Sequence, residues 1–227
     1  MKRIILGAIA VLVLASCANT KYAPESLRNN LDNVAILTPM SYIDYVDESG
    51  HAWPDDSLSA MSQEVLINAL YNSALPISKY IPVNFLAAGE NFENEIAALE
   101  RVDPKNVPNL TIPRYIDQLL EENGERFGVM LFSYGFERDR KGYAKEVAAD
   151  VAATVLSTAL AVLLGIGVST YGVTAKNESH IFAVIYDSLA DSVVFYNTTA
   201  NFNEGISPLK QEAVQKQIDK IFKCIWK

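Results

Sequence analysis

Apolar positions along this chain fall into short continuous runs, three- and four-residue steps, and one long stretch without charge. Val34-Ala35-Ile36-Leu37, stopped at Thr38-Pro39, reads as a short buried strand. Residues 40–56 are rich in Tyr, Asp, Gly and Pro and read as a long loop. Leu58, Met61, Val65 and Ala69 then recur at helical steps, and Asp56 or Ser57 can cap that helix. Pro76 to Phe85 is extended but proline-interrupted, which predicts an edge strand or a loop. Phe92 to Val102 reads as a helix ended by Asp103-Pro104. Thr111 is placed to cap another through Ile116, Leu119 and Leu120, with Gly124 to end it. Gly128 to Tyr134 predicts a central strand, and Ile181–Tyr186 with Val193–Tyr196 predict a hairpin. A closing helix runs from Pro208, with Val214, Ile218, Ile221 and Ile225 on its apolar stripe and lysines on its other face.

This order predicts one α+β (or α/β) domain over residues 33–227, preceded by a polar tether at 17–32. Its core would be a central mixed sheet of about four or five strands with helices packed on it. A long apolar helix is expected in addition at about 147–167.

That helix lies in the uncharged stretch from Val151 to Ala175, which carries no Asp, Glu, Lys, Arg or His. Fully helical, it would span about 37 Å, enough to cross a bilayer. Ala153, Ser157, Ala161, Gly165 and Ser169 recur every fourth position, a stripe that lets another backbone approach closely. Two readings stay open: a helix packed inside the domain or between subunits, and one inserted in a membrane. Thr154, Ser157, Thr158, Ser169 and Thr170 make it more polar than most spanning helices.

The first residues change the setting. Lys2-Arg3, the apolar run Ile4–Leu14 and the small residues Ala15-Ser16 before Cys17 describe a secretory signal. Leu14-Ala15-Ser16-Cys17 resembles the lipobox of bacterial lipoproteins. The resemblance implies cleavage before Cys17, removing residues 1–16, and acylation of Cys17 at its sulfur and new amino group. Buried acyl chains, at about 0.8 kcal/mol per CH₂, make a durable membrane anchor. Ala18 is not the Asp that enteric lipoproteins use for inner-membrane retention, and Asn19-Thr20-Lys21-Tyr22 lacks an acidic export run. The expected location is the outer membrane, facing the periplasm.

Composition narrows the function classes. The 227 residues are 50% hydrophobic, too apolar for a disordered chain. A net charge of −8, or −10 once Lys2 and Arg3 leave with the signal, argues against nucleic acid as a partner. With Cys17 acylated only Cys224 remains, so no intrachain disulfide can form, and Cys224 reads as a small buried hydrophobe.

No catalytic constellation stands out. His51 and His180, the two histidines, have no neighbouring His or Cys at ligand spacing, so neither a metal nor another cofactor is expected. Asp55-Asp56 lies beside Tyr42, Tyr45 and Trp53, a set that would suit a glycan cleft. Acids at a helix start are also favoured by the helix dipole, and capping is the simpler reading.

The lipobox, the early strand Val34–Leu37 ending near Pro39, the middle strand after Phe127-Gly128 and the strand pair around Tyr186-Asp187 to Phe195 together show a wider resemblance. They resemble periplasmic lipoproteins with a fold similar to the TolB N-terminal and curli-export lipoprotein domains. That resemblance implies a non-catalytic role in envelope assembly, with a homo-oligomer or another envelope protein as partner besides membrane lipid. Two alternatives accompany it: a glycan-binding or glycan-acting lipoprotein using Tyr42, Tyr45, Trp53, Asp55 and Asp56, and an oligomeric export component inserted through 151–175.

Overall fold

The computed structural model describes residues 21–48, 50–100, 104–138, 176–199 and 203–226. Cys17, the expected helix at 147–167 and the stripe Ala153, Ser157, Ala161, Gly165 and Ser169 lie outside the described residues. The elements in chain order are β1 (Lys21–Tyr22), α1 (Glu25–Asn30), β2 (Val34–Leu37), β3 (Met40–Val46), β4 (Ala52–Pro54) and α2 (Asp56–Tyr71). There follow β5 (Ile77–Ile81), α3 (Phe85–Glu100), a 3₁₀ turn (Pro104–Asn109), α4 (Arg114–Glu122), β6 (Phe127–Arg138), β7 (Asn177–Asp187), β8 (Ser192–Thr198), β9 (Asn203–Glu204) and α5 (Gln211–Phe222).

The chain is mixed α+β. Among the described residues the strands join in one nine-stranded mixed sheet, larger than the four or five strands expected. The extra strands are short or polar: β1 and β9 have two residues each and β4 has three, too few to show a period. Strand order is β1-β8-β7-β6-β2-β5, with β3 also on β6, β4 on β3 and β9 on β7.

β6 is the axis. Its first residues run parallel to β2, and its second half runs parallel to β3, from Met40 opposite Phe132 to Val46 opposite Arg138. Along its whole length it is antiparallel to β7, Phe127 facing Asp187 and Glu137 facing Asn177. Pro39 does not end the early strand; it interrupts it. Ile36 pairs with Val129 but Met40 with Phe132, so one extra residue is accommodated at the Thr38-Pro39 break. Thr38 bridges that break to β5: its Oγ1 accepts from the Val83 N–H at 2.8 Å and lies 2.7 Å from the Tyr80 hydroxyl.

Side-chain alternation loads both faces of this sheet. Val34, Ile36, Val129, Leu131, Ile185 and Phe195 pack with Leu66 and Leu70 of α2 and Ile218, Ile221 and Phe222 of α5. On the other face Leu37, Phe132, Phe182, Val184 and Tyr186 pack with Phe92 and Ile96 of α3 and Ile116 and Leu120 of α4. The result is three layers, helices on both sides of the sheet.

Several local expectations are corrected. The stretch 40–56, expected as a loop, holds the strands β3 and β4 and ends in the first residue of α2. Residues 21–30, expected within a tether, form β1 and α1, and Leu27 and Leu31 are buried. Thr111 caps nothing: α4 starts at Arg114 behind Pro113, whose ring fixes φ at a helix-compatible value and pushes the preceding residue out of it. α3 starts at Phe85, earlier than the expected Phe92, and is broken at Gly89, where φ is 77°. The predicted central strand, hairpin, edge strand at Ile77–Ile81 and closing helix are present. Among the described residues no helix is long and apolar enough to cross a membrane.

Candidate functional site

The sequence-predicted contact residues lie on the β3–β4 hairpin and the start of α2. Tyr45 and Trp53 are direct cross-strand partners, with ring centroids 5.2 Å apart and planes tilted by 53°. Trp53 is 44% exposed, so one side of the pair is open to contact. The turn is tied at its base: the His51 N–H donates to Asp47 Oδ1 at 2.9 Å, and the Asp47 N–H donates to the His51 carbonyl at 3.0 Å. Gly50 turns the chain there at a φ of 80°, a value that suits glycine.

Asp55 is the N-cap of α2, its Oδ1 accepting the Leu58 N–H at 2.9 Å. Its own N–H donates to the Ile43 carbonyl at 3.0 Å, and Ser59 Oγ accepts the Ile43 N–H at 3.0 Å. Helix start and hairpin are therefore locked together, and the Tyr45–Trp53 pair sits on a braced scaffold. Asp56 is exposed in the first helical turn.

Tyr42 is not part of this pair. It stacks on Tyr134 of β6, centroids 5.8 Å apart and planes 5° from parallel, and packs against the core beneath α3 and α4. Strand alternation puts Tyr42 and Tyr45 on opposite faces of β3. The five expected contact residues thus divide into an aromatic packed on the core (Tyr42), a pair of which Trp53 is exposed and Tyr45 half-buried, a cap (Asp55) and a solvated helix-start acid (Asp56). A glycosidase pair needs both carboxyl groups directed at one bond; here Asp55 is directed at the helix backbone.

Two polar arrangements were not singled out by sequence reading. His180 of β7 is partly buried between two hydroxyls, Thr198 Oγ1 3.1 Å from Nε2 and Thr199 Oγ1 3.3 Å from Nδ1. Burial pushes its pKa down to about 4, so it is neutral at pH 7. Arg126 and Asp187 bind each other across the start of β6 and the end of β7. Their signal, a basic residue just before one strand and an acid closing the next, is visible only once the strands are paired. Cys224 packs against the α2–α5 core, and its thiol donates to the Ile221 carbonyl at 3.3 Å. Among the described residues no cluster of three His, Cys, Asp or Glu is placed to hold a metal ion.

No family model matches this chain, and no curated protein sequence matches it either. Among solved structures it is similar to the PelC dodecamer from Paraburkholderia phytofirmans, at 10% identity and a TM-score of 0.39 over 90% of this chain and 94% of that one. A second PelC dodecamer from the same organism, carrying a leucine-to-methionine substitution, aligns at 10% identity and a TM-score of 0.36, over 86% of this chain and 87% of that one. Likeness this distant carries no argument about the activity or assembly of this chain.

Proposed function

We propose that this chain is a lipid-anchored, non-catalytic module of the bacterial envelope, facing the periplasm, that contacts its partner through the Tyr45–Trp53 face. The observation that carries the reading is the aromatic pair of exposed Trp53 and half-buried Tyr45 on a hairpin braced by Asp55. A large ring held in place loses little conformational freedom on binding, which is why Trp and Tyr anchor many contact surfaces. Anchoring comes from the Leu14–Cys17 motif. An envelope protein is the first candidate partner.

The same pair supports a second reading, glycan binding, because a sugar ring can lie against an open aromatic face. The two readings part in one experiment on the intact lipidated chain. A photo-crosslinking residue replaces Tyr45 in cells, and binding to peptidoglycan and polysaccharide fragments is measured in parallel. A discrete protein adduct lost on Trp53→Ala supports the assembly module. Fragment binding lost on Trp53→Ala moves the function to glycan recognition. Neither signal, or signals indifferent to Trp53→Ala, overturns the assignment of this face. Asp55→Asn keeps an acceptor at the cap, so loss of binding in that variant with folding intact would point to a chemical role for the carboxylate.

A further inference from the structure

A lysine-lined groove runs beside α5, away from the Tyr45–Trp53 hairpin in sequence. Its volume is about 430 Å³, and Lys210, Lys216 and Lys220 line it, all three exposed. The floor is buried and well bonded. Thr199 donates to the Ile181 carbonyl at 3.2 Å, and Gln217 donates to the Ser179 carbonyl at 3.2 Å. Glu212 is the acid in the lining, which leaves the groove net positive on a chain whose net charge is −8. Charges distributed this unevenly orient a protein on a charged surface.

The position of the groove relative to the N-terminus gives this charge a counterpart. β1 pairs antiparallel with β8, Lys21 opposite Asn197 and Tyr22 opposite Tyr196, so the chain enters the sheet from the Thr198–Thr199 end, where the groove opens. The Asn197 amide donates to the Ile221 carbonyl of α5. Lys21, its register partner, therefore belongs to the α5 side of the sheet and is exposed. Lys21 is four positions after Cys17, a reach of at most about 14 Å. An acyl chain on Cys17 would hold this end of the sheet against the bilayer.

We propose that the groove formed by Lys210, Lys216 and Lys220 seats the phosphates of anionic phospholipids, so that the domain lies with α5 against the membrane instead of swinging on its tether. The inference rests on Cys17 acylation and deepens the anchoring part of the proposed function. It assigns membrane contact to α5 and β1.

The test is a lysine-acetylation footprint of the full-length acylated protein on vesicles of phosphatidylcholine alone or with phosphatidylglycerol. Mass spectrometry of the same digest reads the acyl groups on Cys17. On the anionic vesicles, labelling of Lys210, Lys216 and Lys220 should slow by roughly threefold or more and recover at high salt. Lys79, on β5 at the opposite edge of the sheet, should label equally on both. A Lys216→Gln/Lys220→Gln double variant changes only exposed side chains and should lose the difference at Lys210. Equal labelling of the three lysines on both vesicles, with Cys17 acylated, overturns the groove assignment and leaves the anchor standing. An unacylated Cys17 with protein that does not float with vesicles overturns both. Protection by inorganic phosphate without vesicles would make the groove a soluble-anion site and overturn the membrane assignment.

Discussion

Arg126 grips Asp187 with two parallel hydrogen bonds, Nε to Oδ1 at 2.9 Å and Nη2 to Oδ2 at 2.8 Å, while its guanidinium carbon lies 4.6 Å from the Phe127 ring centroid. The carboxylate is 5% exposed and the guanidinium side 44%, so one half of the pair is dry and the other wet. Asp187 also accepts the Leu189 N–H at 3.1 Å, which shapes the turn into β8. The hydrogen bond with Asp187 is the main cause that holds the Arg126 pKa above its usual value. Because Asp187 pairs directly with Phe127, this contact pins the register of β6 and β7 at one end.

Asp187→Ala should therefore lower unfolding stability by about 1–3 kcal/mol, the range for removing a buried acceptor of charged and backbone donors. Arg126→Ala should lose at least as much, since it leaves the buried Asp187 carboxylate with the Leu189 N–H but without its counter-charge. Urea midpoints of the two variants and of the double variant give the coupling; additive losses would refute a shared contact.

Gly135 and Gly128 both lie on β6, yet their substitutions should differ. A Cβ at Gly135 would collide with the backbone carbonyl of Glu178 on β7, and backbone in a paired strand cannot step aside. At Gly128 the added atom meets the flexible ends of Leu120 and Leu37, 2.9 and 3.0 Å away. Gly135→Ala should cost the more of the two, about 3 kcal/mol or above, while Gly128→Ala stays within the usual range of overpacking, about 1–3 kcal/mol. Thermal unfolding of the pair checks the order.

His180 predicts a pH dependence with a definite sign. Its folded pKa, lowered to about 4 by burial, lies under the ordinary value of 6.5. Between those values the unfolded chain binds the extra proton and the folded chain does not, so stability rises with pH across that window. The contribution is complete above about pH 6.5 and is lost as pH falls toward 4, and it amounts to a few kcal/mol at most. His180→Gln should flatten the urea midpoint between pH 4 and 7; an unchanged slope would remove His180 as its source.

Tyr186 is fully buried, and its hydroxyl has no hydrogen-bond partner among the described residues. Burial, aided by the charge of Glu95, raises its pKa far above the ordinary phenol value. Tyr186→Phe removes the unsatisfied group without changing the ring, so it should leave stability unchanged or raise it by about 1 kcal/mol or more. A clear loss of stability would show that the hydroxyl is bonded after all.

How far the fold could be read from sequence depended on the length of each pattern. β6, β7, β8 and α5 were legible because seven or more residues carry one periodicity. β3 was missed although Met40-Ser41-Tyr42-Ile43-Asp44-Tyr45-Val46 holds aromatic and β-branched residues that suit a strand. Asp44 broke the apolar alternation, yet it lies 8% exposed on β3. The candidate site was half legible. The acids at Asp55-Asp56 announced a helix start, and the aromatics announced a contact surface. Nothing in their spacing revealed that Tyr42 turns inward onto Tyr134 while Tyr45 turns outward onto Trp53.

By itself the sequence determined the candidate anchor motif, the absence of an intrachain disulfide once Cys17 is acylated, the mixed α+β class and the apolar stripes of the principal helices, because these are local or compositional properties. Only the tertiary structure decided which faces those stripes meet, that Pro39 interrupts a strand instead of ending it, and that Lys21 enters the sheet where the α5 lysines gather. The reason is register. Each of these depends on pairings between residues far apart in the chain, such as Lys21 with Asn197 and Met40 with Phe132, and a pairing leaves no mark on either segment alone.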